Sequence, residues 1–474
     1  MIRSSLFTRS ALGLALTMGL ATGGLTLSAP AAAKEKKAKA PEAPKIAPTK
    51  TFIPAYTALK TALDAASKRA DIVAARTAVT TAESAHRAAR GNKARAEAKT
   101  AYDGTIAALG TALAPERALL DGAYAAIGNA DDKFLAGQLG LTLGNLAVDK
   151  AMQRRGLNAM VESAKLPAAE LAKYSFYIGG LSFDLKEYAA ARTSFQAAMA
   201  GGYTEGGVEG LLAEAYINDN QPLEGLKVLQ NVAAKGGAPE DLLRRGVVVA
   251  YRAKLANEAT AFGSQLVGNY PTNENWALTV AVVRDLNKFQ NQEQIDLLRI
   301  MERTKSFAEA RDYIEYIQAA DPRRLPGEVL KIVNMGVASG KLSATDIFVS
   351  DAKTTSAGRI AADKASLVGL ERDARAGPAT AATVMAAGDA FLSYDEPAKA
   401  EALYLIALNK PGVDLPRVLT RLGIAQADLG KYAEAQASFA KVDGVRAPIA
   451  QLWSGYAKSK ARAAAAPVAP VPAP

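Results

Sequence analysis

The chain has 474 residues, of which 49% are hydrophobic, with a formal net charge of +10 and no cysteine. This length is enough for roughly three domains and a large buried core. The missing cysteine excludes disulfides, thiolate metal sites, a cysteine nucleophile and a lipid-modified cysteine behind a signal sequence.

Residues 1–33 have the three parts of a secretory signal peptide in order. Arg3 and Arg9 give a positive start, residues 11–27 form an apolar stretch diluted by Gly and Thr, and alanines at 31–33 suit cleavage. We expect an exported chain, periplasmic or secreted, with no transmembrane segment after cleavage. A retained membrane anchor is the alternative, because the stretch is close to the lower length limit for a span.

The positive charge is unevenly spread along the sequence. Residues 34–50 carry six Lys against two Glu among Pro and Ala, whereas residues 51–474 carry 49 basic against 45 acidic residues. A nucleic-acid-binding protein usually concentrates basic residues on a folded face. We therefore predict no nucleic-acid partner and interpret 34–50 as a disordered basic linker, with loose contact to an anionic surface as the alternative.

Residues 51–130 predict an Ala-rich helical region. Apolar residues recur there at steps of three and four, Gly91-Asn92 predicts a break, a second helix runs to about Leu113, and Pro115 begins another. These helices have few large side chains. They either pack closely through Ala faces or form a partly dynamic stalk.

One ten-residue pattern occurs twice, as KEYAAARTSF at 186–195 and GKYAEAQASF at 430–439. A small residue, Gly179, lies ahead of the first copy, and the large Phe195 ends that copy. The spacing between the two lets antiparallel helices interlock. Shifts of 34 residues repeat this frame at Ala213 and Leu229, and then at Val247 and Gly263. The last copy is degraded, because Phe262 rather than residue 263 supplies the large side chain. Near the C-terminus the frame returns with Gly388 and Tyr404, then with Gly423 and Phe439.

These positions resemble the tetratricopeptide repeat, which places a small residue in a first helix and Ala with a spaced aromatic in a second. The resemblance implies a right-handed stack of helix pairs whose concave groove holds other proteins or peptides. It covers a repeat array at 131–303 and a C-terminal pair at 379–460. We expect an all-α protein, an α-solenoid of tetratricopeptide-like hairpins with an Ala-rich N-terminal helical region.

Two further segments are less regular. Residues 304–378 predict two helices broken at Asp321-Pro322 and Pro326, then a polar turn and one helix closed by Gly377-Pro378. This irregular helical segment is either a variant repeat pair or an insertion. Residues 461–474 are Ala/Pro low complexity and predict a disordered tail.

Catalytic patterns are absent from the sequence. The single histidine, His86, lies among Ala and Arg with no acidic residue nearer in sequence than Glu83, and zinc sites normally need several Cys or His ligands. No GxxxxGK[ST] motif occurs, and the Gly pairs near 140–147 lie within helical patterns without a preceding strand. We expect a protein that is not an enzyme and that uses no cofactor or metal.

In the resembled family, exposed positions on the first helix of each pair line the groove. Carried onto this chain, the candidate partner-binding residues are Lys173, Phe176, Tyr177, Phe183, Arg244, Arg245, Tyr251, Arg252, Arg417 and Arg421. The Lys/Asn arrangement with which cochaperone members grip a terminal carboxylate is not reproduced. The arginines could bind acidic groups by bidentate hydrogen bonds, or could be ordinary solvated charges, and both phenylalanines could equally be core residues.

The sequence therefore predicts a non-catalytic, exported interaction scaffold that binds a protein or peptide, including one with acidic groups, in the groove of a helical-repeat solenoid. The alternative is a structural spacer that tethers the solenoid to the cell envelope and has no groove ligand.

Overall fold

The computed structural model describes residues 46–465. The predicted signal peptide, most of the predicted linker and residues 466–474 lie outside this range. The described residues form α-helices and no strands, so the prediction of an all-α fold is confirmed. They divide into two compact units between Val228 and Leu229. We call residues 46–228 the first unit and residues 229–465 the second unit.

The helices of the first unit are α1 Ile53–Ala66, α2 Ala70–Ala88, α3 Asn92–Ala112, α4 Ala114–Ala125, α5 Ala130–Leu146, α6 Lys150–Glu162, α7 Ala168–Asp184, α8 Tyr188–Ala200 and α9 Val208–Asn218. Helix α10, Pro222–Ala234, contains the division between the units. The helices of the second unit are α11 Glu240–Arg252, α12 Ala256–Asn269, α13 Asn273–Leu286, α14 Asn291–Thr304, α15 Ala310–Ala320, α16 Pro326–Ala338, α17 Ile347–Arg375, α18 Ala381–Ser393, α19 Pro397–Ala407, α20 Leu415–Asp428, α21 Tyr432–Phe439 and α22 Ala447–Ala465.

Helices α2 and α3 form a long antiparallel hairpin, and the predicted break between them is confirmed. Gly91 turns the chain with φ +82°, a left-handed conformation that favours glycine. Only Ile72, Val79 and Leu109 are buried on the two helices. The hairpin therefore packs largely through Ala, as the composition predicts.

The last residues of the predicted linker are fixed to the first unit, contrary to the prediction of disorder up to residue 50. The Ala47 N–H donates to Asp131 at 3.2 Å, and Thr49 donates to Asp132 through its N–H at 2.8 Å and its hydroxyl at 2.7 Å. Burial alone would raise the pKa of Asp132, but hydrogen bonds from Thr49 and Gly128 lower it. We call residues 46–50 the strap.

A glycine row brings α5 and α6 unusually close. Gly137, Gly140 and Gly144 on α5 face Gly156 and its neighbours on α6. A Cβ on Gly156 would lie 2.5 Å from the backbone nitrogen of Leu141, so no larger residue fits. The glycines that crowd this helical sequence therefore serve close backbone packing.

Four hairpins share one packing contact, which confirms the tetratricopeptide-like arrangement. A glycine on the first helix touches the aromatic ring 16 residues later on the second, in the pairs Gly179–Phe195, Gly246–Phe262, Gly388–Tyr404 and Gly423–Phe439. A Cβ on Gly179 or Gly388 would lie 2.6 Å from the ring. The predicted frame of Val247 and Gly263 is therefore wrong by one residue, since Gly246 and Phe262 make this contact.

The segment 304–378 is more regular than predicted. Helices α15 and α16 are separated at residues 321–325, as predicted, but the following polar sequence has no turn and forms the continuous 29-residue helix α17. Helix α22 continues to Ala465, so the first five residues of the predicted tail, 461–465, are helical. Few Gly or Pro residues interrupt either stretch, and Ala supports the helix in both.

The second unit closes on itself, because its last helix packs against its early helices. Ser264 on α12 donates to the carbonyl of Gln451 at 2.7 Å, and Trp453 Nε1 on α22 donates to the carbonyl of Asp296 on α14 at 2.7 Å. The rings of Trp276 and Tyr456 meet edge to face with centroids 6.2 Å apart. The core of this unit thus includes contacts between residues more than 150 positions apart.

Candidate functional site

Lys173 and Tyr177 lie one helical turn apart on α7, and both are half-buried. Tyr177 packs against two apolar clusters of the first unit, one that includes Phe134 on α5 and one that includes Leu211 on α9. Phe134 and Leu211 are half-buried as well. Three apolar side chains, Phe134, Tyr177 and Leu211, therefore stay partly exposed on α5, α7 and α9, and Lys173 lies one turn from the middle one. We call these four residues the α7 face.

The two phenylalanines predicted for the same groove are placed differently. Phe176 is only 3% exposed and stacks on Tyr203 with ring centroids 4.7 Å apart, so it is a core residue. Phe183 is half-buried and meets Tyr188 edge to face at 5.5 Å. Of the four candidates on α7, Lys173 and Tyr177 are thus the pair that shares an accessible surface.

The candidates on α11 are partly engaged within the second unit. Arg244 donates to Glu240 at 3.1 Å and also to Asn275, while the Tyr251 hydroxyl donates to Asp285 at 2.7 Å. Arg245 is half-buried, and Arg252 is exposed. Arg244 and Tyr251 therefore join α11 to α13, the next first helix of the array.

The last two candidates, Arg417 and Arg421 on α20, converge on one buried carboxylate. Arg417 donates to Asp389 at 2.6 Å and Arg421 donates to it at 2.5 Å, while the Tyr404 hydroxyl completes the set at 2.9 Å. Arg421 is only 2% exposed. The prediction of an exposed groove residue is therefore wrong for Arg421, because its guanidinium is used inside the unit.

Arg421 belongs to a buried ion network that the sequence analysis did not identify. Its centre is Asp296, fully buried on α14, which accepts hydrogen bonds from Arg299 at 2.8 Å, Arg421 at 3.1 Å and Arg446 at 2.5 Å. Arg299 also forms a bidentate pair with Glu328, with both distances 2.8 Å. We call this set, together with Asp389, the Asp296 hub. It joins α14, α16, α18, α20 and the turn before α22.

The hub stays ionised despite its burial. Desolvation would raise the pKa of Asp296, but the positive charges of Arg421, Arg446 and Arg299 outweigh it and lower the pKa to about 2. Desolvation would likewise raise the pKa of Glu328, but the positive charge of Arg299 outweighs it and the pKa of Glu328 is lowered. The opposite charges therefore hold each other in the charged state, which a buried unpaired group could not maintain.

A signal for the hub exists in the sequence. Asp296 and Arg299 interrupt the apolar run IDLLRIM at 295–301, and Arg421 interrupts the run VLTRLGIA at 418–425. Charged residues within a run that is otherwise suited to a core are rarely buried unless they are paired. The pairing itself could not be deduced, because the partners lie on helices far apart in sequence.

A cleft of about 390 Å³ lies in the first unit beside α4, α5 and α6. The residues that line it are Tyr124, Ile127, Lys133, Ala151, Arg154, Arg155, Asn158, Ala159 and Glu162. The Arg155 guanidinium lies 3.9 Å from the ring centroid of Tyr124, and burial raises the pKa of Tyr124 to about 12. The cations of the cleft are balanced by the carboxylates of Asp121, Glu162 and Glu187.

The described residues offer little for catalysis. His86 is half-buried on α2 and stacks on Tyr102 with ring centroids 6.3 Å apart. Between residues 46 and 465, no three His, Asp or Glu side chains are grouped as a metal ion would require. Nor does any helix in this range combine the length and apolarity of a membrane span.

A scan against protein-family models gives no match, and a search of curated proteins gives none. Among solved structures, the APC/C hetero-tetramer Cut9-Hcn1 is similar at 12% identity and a TM-score of 0.19, over 73% of this chain and 80% of that one. The human IFIT1 dimer with m7Gppp-AAAA is similar at 14% identity and a TM-score of 0.20, over 79% of this chain and 86% of that one. At these TM-scores the likeness supports no function, and the assignment of this chain as a tetratricopeptide-like helical-repeat protein rests on its hairpin geometry.

Proposed function

We propose that the protein is an exported, non-catalytic scaffold that binds a protein or peptide partner through the α7 face. The observation that carries the proposal is that Lys173 and Tyr177 lie one helical turn apart on α7 and that both stay partly exposed. Tyrosine combines a large contact area with a polar end, and a neighbouring ammonium group suits an acidic side chain or a terminal carboxylate. The partner segment we expect carries an acidic group next to an apolar one.

The α7 face differs from the arginine candidates of the second unit in its availability. Arg417 and Arg421 are bonded to Asp389, and Arg421 is buried as well. A partner could recruit Arg421 only by leaving buried carboxylates without their cation, which is costly. We therefore assign partner binding to Lys173 and Tyr177 and a structural role to the arginines of α20.

This internal use of arginines favours a second candidate function, the structural spacer. A unit whose inner side chains bind one another is stiff without any ligand. In that case the Ala-rich N-terminal helices and residues 34–50 would tether the solenoid to an envelope surface, and no groove ligand would exist.

Photocrosslinking in the producing cells separates the two candidates. A photoreactive amino acid replaces Tyr177 in the full chain, and in a matched control it replaces Lys227, an exposed residue on α10. We expect a discrete adduct from position 177 that disappears in a Lys173→Glu background, and none from position 227. Equal adducts from both positions, or none from position 177, would contradict partner binding at the α7 face and favour the spacer.

Export is supported by the composition of residues 1–33 and is tested separately. We expect the chain in the envelope fraction to have the mass of a protein that begins near Lys34, and a chain with Arg3 and Arg9 replaced by Glu to accumulate unprocessed. Full-length protein confined to the cytoplasm in both cases would contradict export.

A further inference from the structure

The outer part of the α2–α3 hairpin contributes no fully buried residue to the core, although Tyr102 and Ile106 pack against it. From residue 80 to residue 108 every side chain is at least partly exposed, and the buried Ile72, Val79 and Leu109 lie nearer the base. We call residues 70–112 the arm and residues 87–99, which surround the turn, the basic tip.

The basic tip is a local concentration of positive charge. It carries five cations, Arg87, Arg90, Lys93, Arg95 and Lys99, against the single acid Glu97, a net charge of +4. Two flanking acids, Glu83 and Asp103, reduce the net charge of residues 83–103 to +2. Residues 51–474 together carry 49 basic and 45 acidic residues, so this end of the hairpin holds half of their excess of +4.

The cations at the turn are available for an external anion. Arg90 donates to the backbone carbonyls of Arg87 and Ala88, and Arg95 donates to that of Ala89. The Lys93 side chain is 92% exposed, and its Nζ is 4.0 Å from the Glu97 carboxylate. Arg87 and Lys99, farther from the turn, pair with the carboxylates of Glu83 and Asp103 at 2.5 Å each. The charge that these contacts leave largely unneutralised is therefore that of Arg90, Lys93 and Arg95.

Helix stability explains Arg87, in the last turn of α2, but not the two cations that begin α3. Lys93 and Arg95 lie in the first turn of α3, which has no acidic residue, and Gly91 provides no side-chain cap. Cations near a helix N-terminus oppose the helix dipole and weaken the helix. Residues that disfavour the local structure often lie at functional positions.

We propose that the basic tip docks on a bilayer surface rich in anionic phospholipid headgroups. A helix rises about 1.5 Å per residue, so all five cations lie within roughly 10–12 Å of the end of the arm. This is close to the Debye length of about 10 Å at 0.1 M salt, so an approaching anionic plane is attracted by the net positive charge of the turn, which Arg90, Lys93 and Arg95 supply. The tip has no aromatic residue on which a nucleic-acid base could stack, and this favours lipid as the anion.

The docking is peripheral and independent of the α7 face. The residues of the tip, RAARGNKARAEAK, include no large apolar side chain, so nothing would insert into the hydrocarbon. Binding is therefore electrostatic, reversible and strongly weakened by salt.

Vesicle co-sedimentation with the full chain tests the proposal. The vesicles contain phosphatidylcholine alone or with one quarter phosphatidylglycerol, at 0.1 M and 1 M salt. We expect binding to the anionic vesicles at 0.1 M salt that falls at least about tenfold in the triple variant R90E/K93E/R95E. The neutral R90Q/K93Q/R95Q should give an intermediate loss, because it removes attraction without adding repulsion.

The matched control is K227E/K341E/K441E, which changes the net charge equally at three exposed lysines outside the arm. We expect it to bind anionic vesicles nearly as well as the parent chain. Neutral vesicles measure the contribution of the apolar residues at 11–27, which is the same in every variant. Circular dichroism checks that the variants fold.

Three outcomes would overturn the proposal. The first is an equal loss of vesicle binding in the control variant K227E/K341E/K441E, which would show that binding depends on the net charge of the whole chain. The second is undiminished binding in the tip variants, which would assign it to residues 34–50 or 11–27. The third is tip-dependent binding of a 30-nucleotide DNA that is tighter than binding of the vesicles, which would identify a nucleic-acid site instead.

Discussion

Asp296 and Arg421 lie 125 residues apart in the sequence, yet Nε of Arg421 donates to both carboxylate oxygens of Asp296, at 3.1 and 3.2 Å. Both residues are almost completely buried. This contact joins α14 to α20 and makes the second unit depend on a charge pair rather than on apolar packing alone.

Replacing Asp296 with Asn should strongly destabilise the second unit. The substitution leaves Arg299, Arg421 and Arg446 buried without the central negative charge, and removing one member of a buried ion pair typically costs about 3–5 kcal/mol. Chemical denaturation measures the change in the free energy of unfolding. Asp373→Asn, in an exposed pair with Arg372, should cost less than about 1 kcal/mol. Similar losses in the two variants would contradict a central role for Asp296.

The stability of the second unit should fall in acid. The pKa of Asp296 is about 2 in the folded chain and about 3.9 in an unfolded one. A lowered folded-state pKa stabilises the fold above the unfolded value, and this contribution is lost as the pH falls from about 4 to about 2. Thermal unfolding between pH 7 and pH 2 measures it. We expect the Asp296→Asn variant to lose less stability than the parent chain as the pH falls from about 4 to about 2. An equal loss in the two chains would assign the effect to other carboxylates.

Gly388→Ala should destabilise a repeat hairpin, because the added Cβ would lie 2.6 Å from the Tyr404 ring. Overpacking of this kind costs about 1–3 kcal/mol. The matched control is Gly358→Ala in α17, where a Cβ meets open space and should stabilise the helix by about 0.5–1 kcal/mol. The midpoint of urea denaturation should move in opposite directions in the two variants. A stabilising Gly388→Ala would contradict the interlocking contact.

Asp132→Ala should release the strap. It removes the acceptor of three hydrogen bonds, from the N–H and hydroxyl of Thr49 and the N–H of Gly128. Losing them should speed amide exchange in residues 46–52 by about tenfold or more. Hydrogen exchange followed by mass spectrometry measures this, with Asp121→Ala as a control on the exposed end of α4. Equal exchange in the two variants would show that other contacts hold the strap.

The helices and their breaks could largely be predicted because they depend on local chemistry. Gly91 at a turn, Pro326 at a helix start and the spacing of Gly388 and Tyr404 are all visible within a few residues of sequence. The slip at Gly246 came from extending a strict 34-residue period into a repeat that does not keep it. Helix α17 was misjudged because polar residues in an exposed helix resemble a turn.

The candidate site could be predicted only in part, since exposure depends on the neighbours of each helix. Tyr177 and Phe176 are adjacent in sequence and fit the repeat pattern equally well, but only Tyr177 is accessible. Arg421 looked like a surface charge because its partner Asp296 lies on a helix that no local pattern connects to α20. Pairs of residues this far apart in sequence can be identified only from the folded structure.

The closure of α22 onto α12 and α14 limits how this protein can vary. In an open repeat array, a hairpin can be duplicated or deleted because each copy contacts only its neighbours. In the second unit, an added or missing hairpin between Asp296 and Arg446 would shift α20 and α22 away from their partners. We infer that changes in repeat number are tolerated poorly between these two residues, so this stretch should keep its length while its surface residues diverge.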